Sequence, residues 1–370
     1  MEDLKSLASV VENKYVKQAV ADGTKIVGYA CLATPREIFD AAGLFPYRIK
    51  GMAVSRTELA DAYLSRFNCG FCRSCLQLAL DGSYDFFDGL IETNGCDHLR
   101  GMFENWQYAY PADFFHYVRV PHLTNEESMD WFVDELGLLR DALQEHFKLT
   151  ITDSDLNAAV ELQAEIAGKF RRIYESRWGD SIKVSGGDIL ALMVLEGSMP
   201  AADFSALLSE FAAELQSRQP LEYRARIFVG GSATDEIELL TELETLGGLV
   251  VADSFCFGGR IFRDSDKPEG SPIERLAWRY LYNLMCPRMF DDYARRKALI
   301  DGLISGSRAD GAIFFHNKFC DVHGVENVKL RMDLEKEGVP VLTLEKEYGA
   351  GADIGRLKTR VQAFLEKLRK

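Results

Sequence analysis

Two apolar, strand-like runs of this chain each lead to a cysteine, and their sequences resemble one another. Residues 88–91 read DGLI and lead to Cys96, and residues 310–313 read DGAI and lead to Cys320; an aspartate follows each cysteine. Ligands in open α/β sheets collect outside the carboxyl ends of the strands. Two equivalent cysteines at two such ends therefore predict a site between two half-chains, where a helix N-terminus favours each thiolate.

A third group of cysteines, with the spacing C-x2-C-x2-C, lies just before the first of these runs. It contains Cys69, Cys72 and Cys75, but the x3-C-P that completes a bacterial ferredoxin run is missing. If a helix begins near residue 71, the three thiols cannot all face one metal. We therefore expect Cys69 to be a ligand, and we expect Cys72 and Cys75 to be small buried hydrophobic residues. Three thiolate sources that meet at a cleft predict an iron–sulfur or other soft-metal site.

The other cysteines give weaker signals. Cys31 closes a predicted strand, where core packing is slightly favoured over a position in the crevice. Cys256 and Cys286 lie in predicted loops and are not expected to bind metal.

The histidines and glycines near the site leave alternatives open. His98, His316 and His323 flank the two similar runs, where a histidine is a general acid or base, a ligand, a donor to a ligand or, more commonly, an exposed or capping residue. Residues 230–233 (GGSA) follow a predicted strand and either hold a phosphate or make a tight turn. Neither G-x-G-x-x-G nor G-x-x-x-x-G-K-[ST] is present, so dinucleotide and P-loop sites are not supported.

Composition limits the classes of protein to consider. The chain has 370 residues, 47% of them hydrophobic and 27% charged, which is typical of a globular protein long enough for two domains. No apolar run reaches membrane-spanning length, and the first residues do not have the pattern of a secretory signal. We therefore expect no membrane partner. The net charge of −14 argues against a nucleic-acid partner. Eight cysteines without a signal indicate a reducing compartment, and we expect a cytoplasmic protein.

The order of the predicted elements indicates two α/β units separated by helices. Strands and helices alternate up to about residue 120 and again from residue 226, which predicts parallel, doubly wound sheets. Thr34 is predicted to cap the first of these helices, with Pro35 at its first position. Long amphipathic runs fill residues 126–218. We predict an N-terminal α/β domain over 1–150, a helical region over 151–222 and a C-terminal α/β domain over 223–370.

Taken in order, these motifs resemble the family of 2-hydroxyacyl-CoA dehydratase and benzoyl-CoA reductase subunits, over nearly the whole chain. The segments that carry the resemblance are residues 28–31, 35–38, 41–44, 69–74, 88–97, 253–260, 286–287, 309–321, 338–342 and 356–364. The resemblance implies two flavodoxin-like (Rossmann-like) domains with a 4Fe-4S cluster between them, held by Cys69, Cys96 and Cys320. It also implies a homologous second subunit or a homodimer, an ATP-dependent iron–sulfur activator protein and an acyl-CoA substrate. The general base is not assigned.

Three functions are compatible with this resemblance. The first is a lyase, a 2-hydroxyacyl-CoA dehydratase that receives one low-potential electron. The second is an oxidoreductase, a benzoyl-CoA reductase subunit that reduces an aromatic acyl-CoA. The third is an electron-transfer or reductase protein with a double-cubane 8Fe-9S cluster and no CoA substrate, for which the additional Cys72 and Cys75 leave room. A structural zinc protein is the alternative outside the family.

Overall fold

The first half of the chain forms a four-stranded parallel sheet covered by helices. The computed structural model describes residues 3–52, 54, 56–262, 269–349 and 354–368. The first elements are α1 (Leu4–Ala8), α2 (Lys14–Asp22), β1 (Ile26–Tyr29), α3 (Arg36–Ala41), β2 (Phe45–Arg48), α4 (Gly70–Leu80), β3 (Gly89–Thr93), α5 (Asp97–Ala109) and β4 (Phe114–Val118). The strands lie in the order β2-β1-β3-β4, and all neighbours are parallel.

Four helices then lead to a second sheet with the same strand order. The helices are α6 (Glu126–Phe147), α7 (Asp153–Glu175), α8 (Gly186–Glu196) and α9 (Ala201–Ser217). The elements that follow are β5 (Ala225–Gly231), α10 (Ile237–Thr245), β6 (Gly248–Asp253), α11 (Pro272–Tyr282), α12 (Tyr293–Ser307), β7 (Gly311–Asn317), α13 (Asp321–Lys336), β8 (Val341–Lys346) and α14 (Ile354–Lys367). The order β6-β5-β7-β8, again parallel, repeats that of the first sheet.

The predicted fold class is therefore confirmed: the protein is α/β, with two parallel sheets and a helical region between them. The predicted domain limits at residues 150 and 222 stay predictions. The sequence also predicts a closing helix over residues 356–370, of which residues 369–370 lie outside the described residues. None of the described helices has both the length and the apolar character that crossing a bilayer requires.

The predicted cap of α3 is wrong by one position. Pro35 is the N-cap, and it has no side chain that can accept a hydrogen bond there. Thr34 instead donates its N–H to the carbonyl of Cys31, at 3.1 Å, and its buried hydroxyl has no partner among the described residues. The turn that closes β1 therefore uses the residue that the sequence pattern assigned to the helix.

The aspartates of the two Asp-Gly pairs make the same hydrogen bonds in both sheets. The Asp88 carboxylate accepts the N–H of Ile26 at 2.9 Å, while the Asp88 N–H donates to the Ile26 carbonyl at 2.8 Å. Asp310 makes the same two bonds with Arg226, at 2.7 and 2.8 Å. Each aspartate therefore ties the start of the third strand of its sheet to the start of the first strand, so that both strands point their carboxyl ends the same way.

The two halves meet through buried polar contacts and a shared core. The Asp235 carboxylate, before α10, accepts the backbone N–H groups of Gly51 and Met52, at 2.8 and 3.1 Å. Every residue of helix α8 except Asp188 is buried. One hydrophobic cluster includes residues of both sheets and of α8. These contacts fix the carboxyl ends of the two sheets relative to one another.

Candidate functional site

A cavity of about 680 Å³ lies between the carboxyl ends of the two sheets. Seven of the eight cysteines of the chain line it: Cys31, Cys69, Cys72, Cys96, Cys256, Cys286 and Cys320. Cys75 is buried in the hydrophobic core instead. The volume is in the range of small-molecule and cofactor sites, and such cavities form preferentially outside the carboxyl ends of parallel strands.

The three cysteines predicted as ligands have the same local position. Cys69, Cys96 and Cys320 are the N-cap residues of α4, α5 and α13, respectively. Three helix N-termini therefore converge on one cavity, and their partial positive charges favour negatively charged sulfur. The first half of the chain provides two of these thiols and the second half provides one.

Burial and interactions among the cysteines raise the pKa of each of these three thiols above the ordinary value. The thiol of Cys320 donates to the sulfur of Cys69, which favours the Cys69 thiolate. The interaction of Cys69 with Cys72 and the burial of Cys69 act in the opposite direction. Together they outweigh the effect of Cys320 and raise the pKa of Cys69 to about 12. The contact with Cys69 and burial raise the pKa of Cys320 well above its usual value, and burial does the same for Cys96. A metal that binds here must displace these protons.

The donor set fits a cluster better than a single ion. Within the described ranges, no group of three His, Cys, Asp or Glu side chains is arranged to hold one metal ion. A cubane attaches each thiolate to a different iron atom, so its ligands lie farther apart than the ligands of a single ion. Thiolates are also the ligands that iron–sulfur clusters prefer. The residues present therefore fit a cluster, while the ligand role of Cys69, Cys96 and Cys320 stays a prediction.

Two of the histidines that flank the similar runs hold the backbone of these cysteines. The Nδ1 atom of His98 accepts the N–H of Cys69 at 2.9 Å, which places the ring proton on Nε2. The Nε2 atom of His316 lies 3.2 Å from the carbonyl oxygen of Cys320. His323 lines the cavity, and burial, together with the nearby positive charge of Arg260, lowers its pKa to about 3. It is therefore neutral at physiological pH.

A second group of cysteines lines the same cavity, and Cys256 and Cys286 lie in loops, as predicted. It consists of Cys31, Cys256 and Cys286. The Nη2 atom of Arg260 donates to the sulfur of Cys256 at 3.2 Å. Burial raises the pKa of Cys286 to about 11, against the opposing effect of Arg260. The cavity therefore contains two groups of three cysteines, of which only one was expected there.

The arginines of the cavity wall were not predicted from the sequence. Arg48, Arg260 and Arg288 are buried and line the cavity. A signal was available, because each follows closely after a strand end or a cysteine: Arg48 ends β2, Arg260 follows two glycines after β6, and Arg288 lies in the segment CPR. Basic side chains at strand ends share no common spacing with the thiols, so the cysteine pattern gave no reason to single them out.

The chain is similar to known enzyme subunits over most of its length. The family described as 2-hydroxyglutaryl-CoA dehydratase, D-component, matches residues 31–368. The (R)-phenyllactyl-CoA dehydratase beta subunit of Clostridium sporogenes is 27% identical, over 97% of this chain and 96% of the relative. A subunit of the benzoyl-CoA reductase of Thauera aromatica is 25% identical, over 88% of this chain and 86% of the relative.

A third relative has a different substrate in its name. The (R)-2-hydroxyglutaryl-CoA dehydratase beta subunit of Acidaminococcus fermentans is 23% identical, over 94% of this chain and 93% of the relative. The predicted resemblance to this group of enzymes is confirmed, because the family match spans nearly the whole chain, including every strand except β1 and all the cysteines of the cavity. This chain belongs to the 2-hydroxyglutaryl-CoA dehydratase D-component family of acyl-CoA dehydratase and benzoyl-CoA reductase subunits.

Proposed function

We propose that this chain is the iron–sulfur subunit of an ATP-activated 2-hydroxyacyl-CoA dehydratase, with a 4Fe-4S cluster held by Cys69, Cys96 and Cys320. The observation that carries the proposal is the convergence of these three N-cap thiols on one cavity. Three thiolates would leave one iron without a protein ligand, and a bound cluster would supply that open position and would carry the low-potential electron that the activator delivers.

The protein residues have three tasks in this proposal. The helix N-termini stabilise negative charge on the three sulfurs. His98 and His316 orient the backbone of Cys69 and Cys320 through the bonds described above, as groups next to metal ligands commonly do. Apolar side chains of the wall, including Phe71 and Phe257, exclude water from a substrate that lies against the cluster.

Partners and compartment belong to the same proposal. The relatives are named as single subunits of dehydratases and of a reductase, which supports a homologous second subunit, or a second copy of this chain, beside the cluster. An ATP-dependent iron–sulfur activator and an acyl-CoA substrate follow from the family resemblance. Eight cysteines without a disulfide fit a reducing compartment such as the cytoplasm.

A second candidate rests on the second group of cysteines. Cys31, Cys256 and Cys286 face the same cavity as the first group, so six thiols are available for two linked cubanes. Cys75 is not among the residues that line the cavity, so a double-cubane 8Fe-9S cluster would use this second group rather than Cys75, with Cys72 as a further thiol on the cavity wall. Such a protein would transfer electrons to a small substrate without CoA.

Iron counting on anaerobically purified protein tests the proposal. One cubane gives about four irons per chain, and a double cubane gives about eight. We expect four, together with equimolar sulfide and a brown colour. Zinc in place of iron would contradict both candidates. Turnover of a 2-hydroxyacyl-CoA, compared with benzoyl-CoA, in the presence of the partner subunit and activator then separates dehydratase from arene reductase.

A further inference from the structure

Cys72 lies beside the three proposed cluster ligands but is not needed to hold a 4Fe-4S cluster. It is the third residue of α4, whose N-cap is Cys69, and both cysteines line the cavity. The thiol of Cys69 donates to the sulfur of Cys72. The two residues therefore form a C-x-x-C pair at a helix N-terminus, which is the arrangement of many thiol pairs that form reversible disulfides.

The backbone at Cys69 allows this pair to form a bond. Within a regular helix, residues three apart have Cβ atoms about 5–6 Å apart. A disulfide needs Cβ atoms only about 3.5–4.5 Å apart. Cys69 has a φ of −52° and a ψ of 129°, which lie outside the helical region, so its side chain does not follow the regular helical spacing. Because the two thiols already interact, closing the bond requires side-chain rotation and no unwinding of α4.

Cys75 shows what the N-cap position contributes. It also lies three residues from Cys72 on α4, but both of these residues are within the helix and keep the regular Cβ separation. Cys75 is 0% exposed and belongs to the hydrophobic core, where an oxidant in the cavity does not reach it. Of the two cysteines that are three residues away from Cys72, only Cys69 is therefore placed to pair with it.

The start of α4 is held by contacts from other elements. The N–H of Cys69 donates to Nδ1 of His98 at 2.9 Å. Gly70 packs so closely on Tyr348 that a Cβ at residue 70 would lie 2.9 Å from the Cβ of that tyrosine. The ring of Phe71 stands edge-on to the ring of Tyr348, with centroids 5.5 Å apart. The backbone of the C-x-x-C pair therefore stays in place while its side chains react.

Cys320 also interacts with Cys69, but it belongs to the second half of the chain. Its sulfur interacts with the hydroxyl of Ser232 and with the backbone N–H of His323. The separation of Cys320 from Cys69 depends on how the two halves meet, whereas that of Cys72 from Cys69 depends on a single helical turn. We therefore expect oxidation to join Cys69 to Cys72.

We propose that Cys69 and Cys72 form a reversible disulfide when a peroxide reaches the cluster-free protein, and that this bond prevents insertion of the cluster. The second part rests on the proposed function, because the bond prevents insertion only if Cys69 is a cluster ligand.

The reaction needs only the two thiols and the peroxide. The sulfur of Cys69 attacks one oxygen of hydrogen peroxide, the O–O bond breaks, and a sulfenic acid and one water are formed. The sulfur of Cys72 then displaces the sulfenic hydroxyl group, which leaves as a second water with the thiol proton of Cys72. Two electrons pass from the thiols to the peroxide, and one S–S bond replaces two S–H bonds.

This reaction gives Cys72 a protective role. A sulfenic acid that has no neighbouring thiol is oxidised further to a sulfinic acid, which thiol reductants do not reverse. A disulfide returns to two thiols by exchange with a thiol reductant. Cys72 therefore keeps the oxidation of Cys69 reversible, and reduction makes Cys69 available to the cluster again.

A single tryptic peptide reports on this pair. Cleavage after Arg66 and Arg73 releases residues 67–73, FNCGFCR, which include Cys69 and Cys72 but not Cys75. Cluster-free protein is treated with hydrogen peroxide, denatured, alkylated, digested and analysed by mass spectrometry. We expect this peptide to be lighter by two hydrogen atoms and to carry no alkyl group. Prior treatment with dithiothreitol should restore two alkylated cysteines.

Three variants separate the pair from general oxidation. In Cys72→Ala and in Cys72→Ser, which keeps the size of the side chain, Cys69 should accumulate as a sulfinic or sulfonic acid in the same peptide. Cys75→Ala is the matched control from the same helix, and it should form the disulfide to the same extent as the unmodified protein. Equal over-oxidation of Cys69 with and without Cys72 would overturn the protective role.

The unmodified protein alone decides whether the pair is correct. A cross-link between residues 67–73 and a peptide that contains Cys320 would overturn the pairing. Two free thiols in this peptide, after peroxide has oxidised other cysteines of the cavity, would overturn it as well. Neither result touches the proposed function, because neither measurement involves a cluster.

Cluster transfer from an iron–sulfur scaffold protein tests the block, since it supplies no free sulfide that would reduce a disulfide. The reduced chain should receive about four irons, and the disulfide form less than about one until dithiothreitol is added. Full uptake by the disulfide form would overturn both the block and the ligand role of Cys69. No uptake by the reduced chain would overturn the proposed function and the block together, while the peptide still decides the pairing.

Discussion

The two halves of the chain share one sheet plan but present different chemistry to the cavity between them. The tie from Asp88 to Ile26 corresponds to the tie from Asp310 to Arg226, so residue 31 of the first half corresponds to residue 231 of the second. The first half has Cys31 there and the second has Gly231. A Cβ on Gly231 would lie 1.9 Å from the carbonyl oxygen of Phe315 on β7, and its φ of +118° disfavours any side chain.

The third strands of the two sheets, β3 and β7, differ in length, but the same residue type follows both of them. β3 has five residues and β7 has seven, yet each is followed, at the third residue past its end, by a cysteine that caps a helix. The two sheets therefore supply equivalent positions, while local backbone space decides which of these positions can hold a thiol.

The largest effect should come from removing either of the two equivalent cysteines. Cys96→Ala and Cys320→Ala should both lose the cluster, because three thiolates are already one fewer than the usual four. Iron content and visible absorption after anaerobic purification measure this loss. Cys286→Ala should retain most of the iron, and the core variant Cys75→Ala is the control for folding. Full iron retention in both of the first two variants would contradict the equivalence of the halves.

A substitution at Gly231 tests why the second half lacks a counterpart of Cys31. Gly231→Ala should reduce the free energy of unfolding by about 3 kcal/mol or more, because its Cβ would overlap the β7 backbone. Cys31→Ala, at the corresponding position, should cost about 1 kcal/mol. Gly23→Ala is a matched control, since its φ is +74° but nothing lies within 4 Å of its Cβ, and it should cost about 1 kcal/mol. Denaturant unfolding of the three variants makes the comparison. Equal losses in Gly231→Ala and Gly23→Ala would show that the close approach of the two strands is not what excludes a side chain.

The two aspartates should be energetically equivalent. Asp88→Ala and Asp310→Ala each leave a buried strand-end N–H without its carboxylate partner, and each should cost about 1–3 kcal/mol. Urea unfolding curves of the two variants give the two losses. The exposed contact of Asp88 with Lys25 contributes little to this difference. A difference of more than about 1 kcal/mol between the two losses would therefore mean that the two aspartates do not stabilise their sheets equally.

A smaller, pH-dependent effect is confined to the first half. Lys50 is buried after β2 and donates to the carbonyls of Ala8 and Val10, and burial lowers its pKa from 10.5 to about 7. Between these values the unfolded chain binds a proton that the folded chain does not. Stability from this group should therefore rise with pH above 7, by at most about 1.4 kcal/mol per unit, and be lost as pH falls through 7. The difference in unfolding free energy between the unmodified protein and Lys50→Met, measured from pH 7 to 9, isolates this slope. A constant difference would indicate an unperturbed lysine.

Most of the fold could be predicted because its signals are local. The strands were visible as short apolar runs, and the Asp-Gly repeat revealed the two corresponding sheets. Thr34 was misassigned because a turn competed with the helix for the same residue. The positions of Cys256 and Cys286 depend on loops whose path is set by packing between the halves, and the burial of Arg48 and Arg260 beside the cavity depends on the same packing. Long-range contacts of this kind leave no periodic pattern in a sequence.

The division of the three N-cap thiols between the halves has a consequence for biosynthesis. A growing chain contains Cys69 and Cys96 more than 200 residues before Cys320. A cluster that needs all three cannot be completed on a nascent chain before residue 320 has been synthesised and has reached the cavity. Once inserted, it would act as a cross-link between residues 96 and 320, and closing so long a loop removes more conformational entropy from the unfolded chain than a short link does. Cluster loss would then loosen the contact between the halves as well as end catalysis.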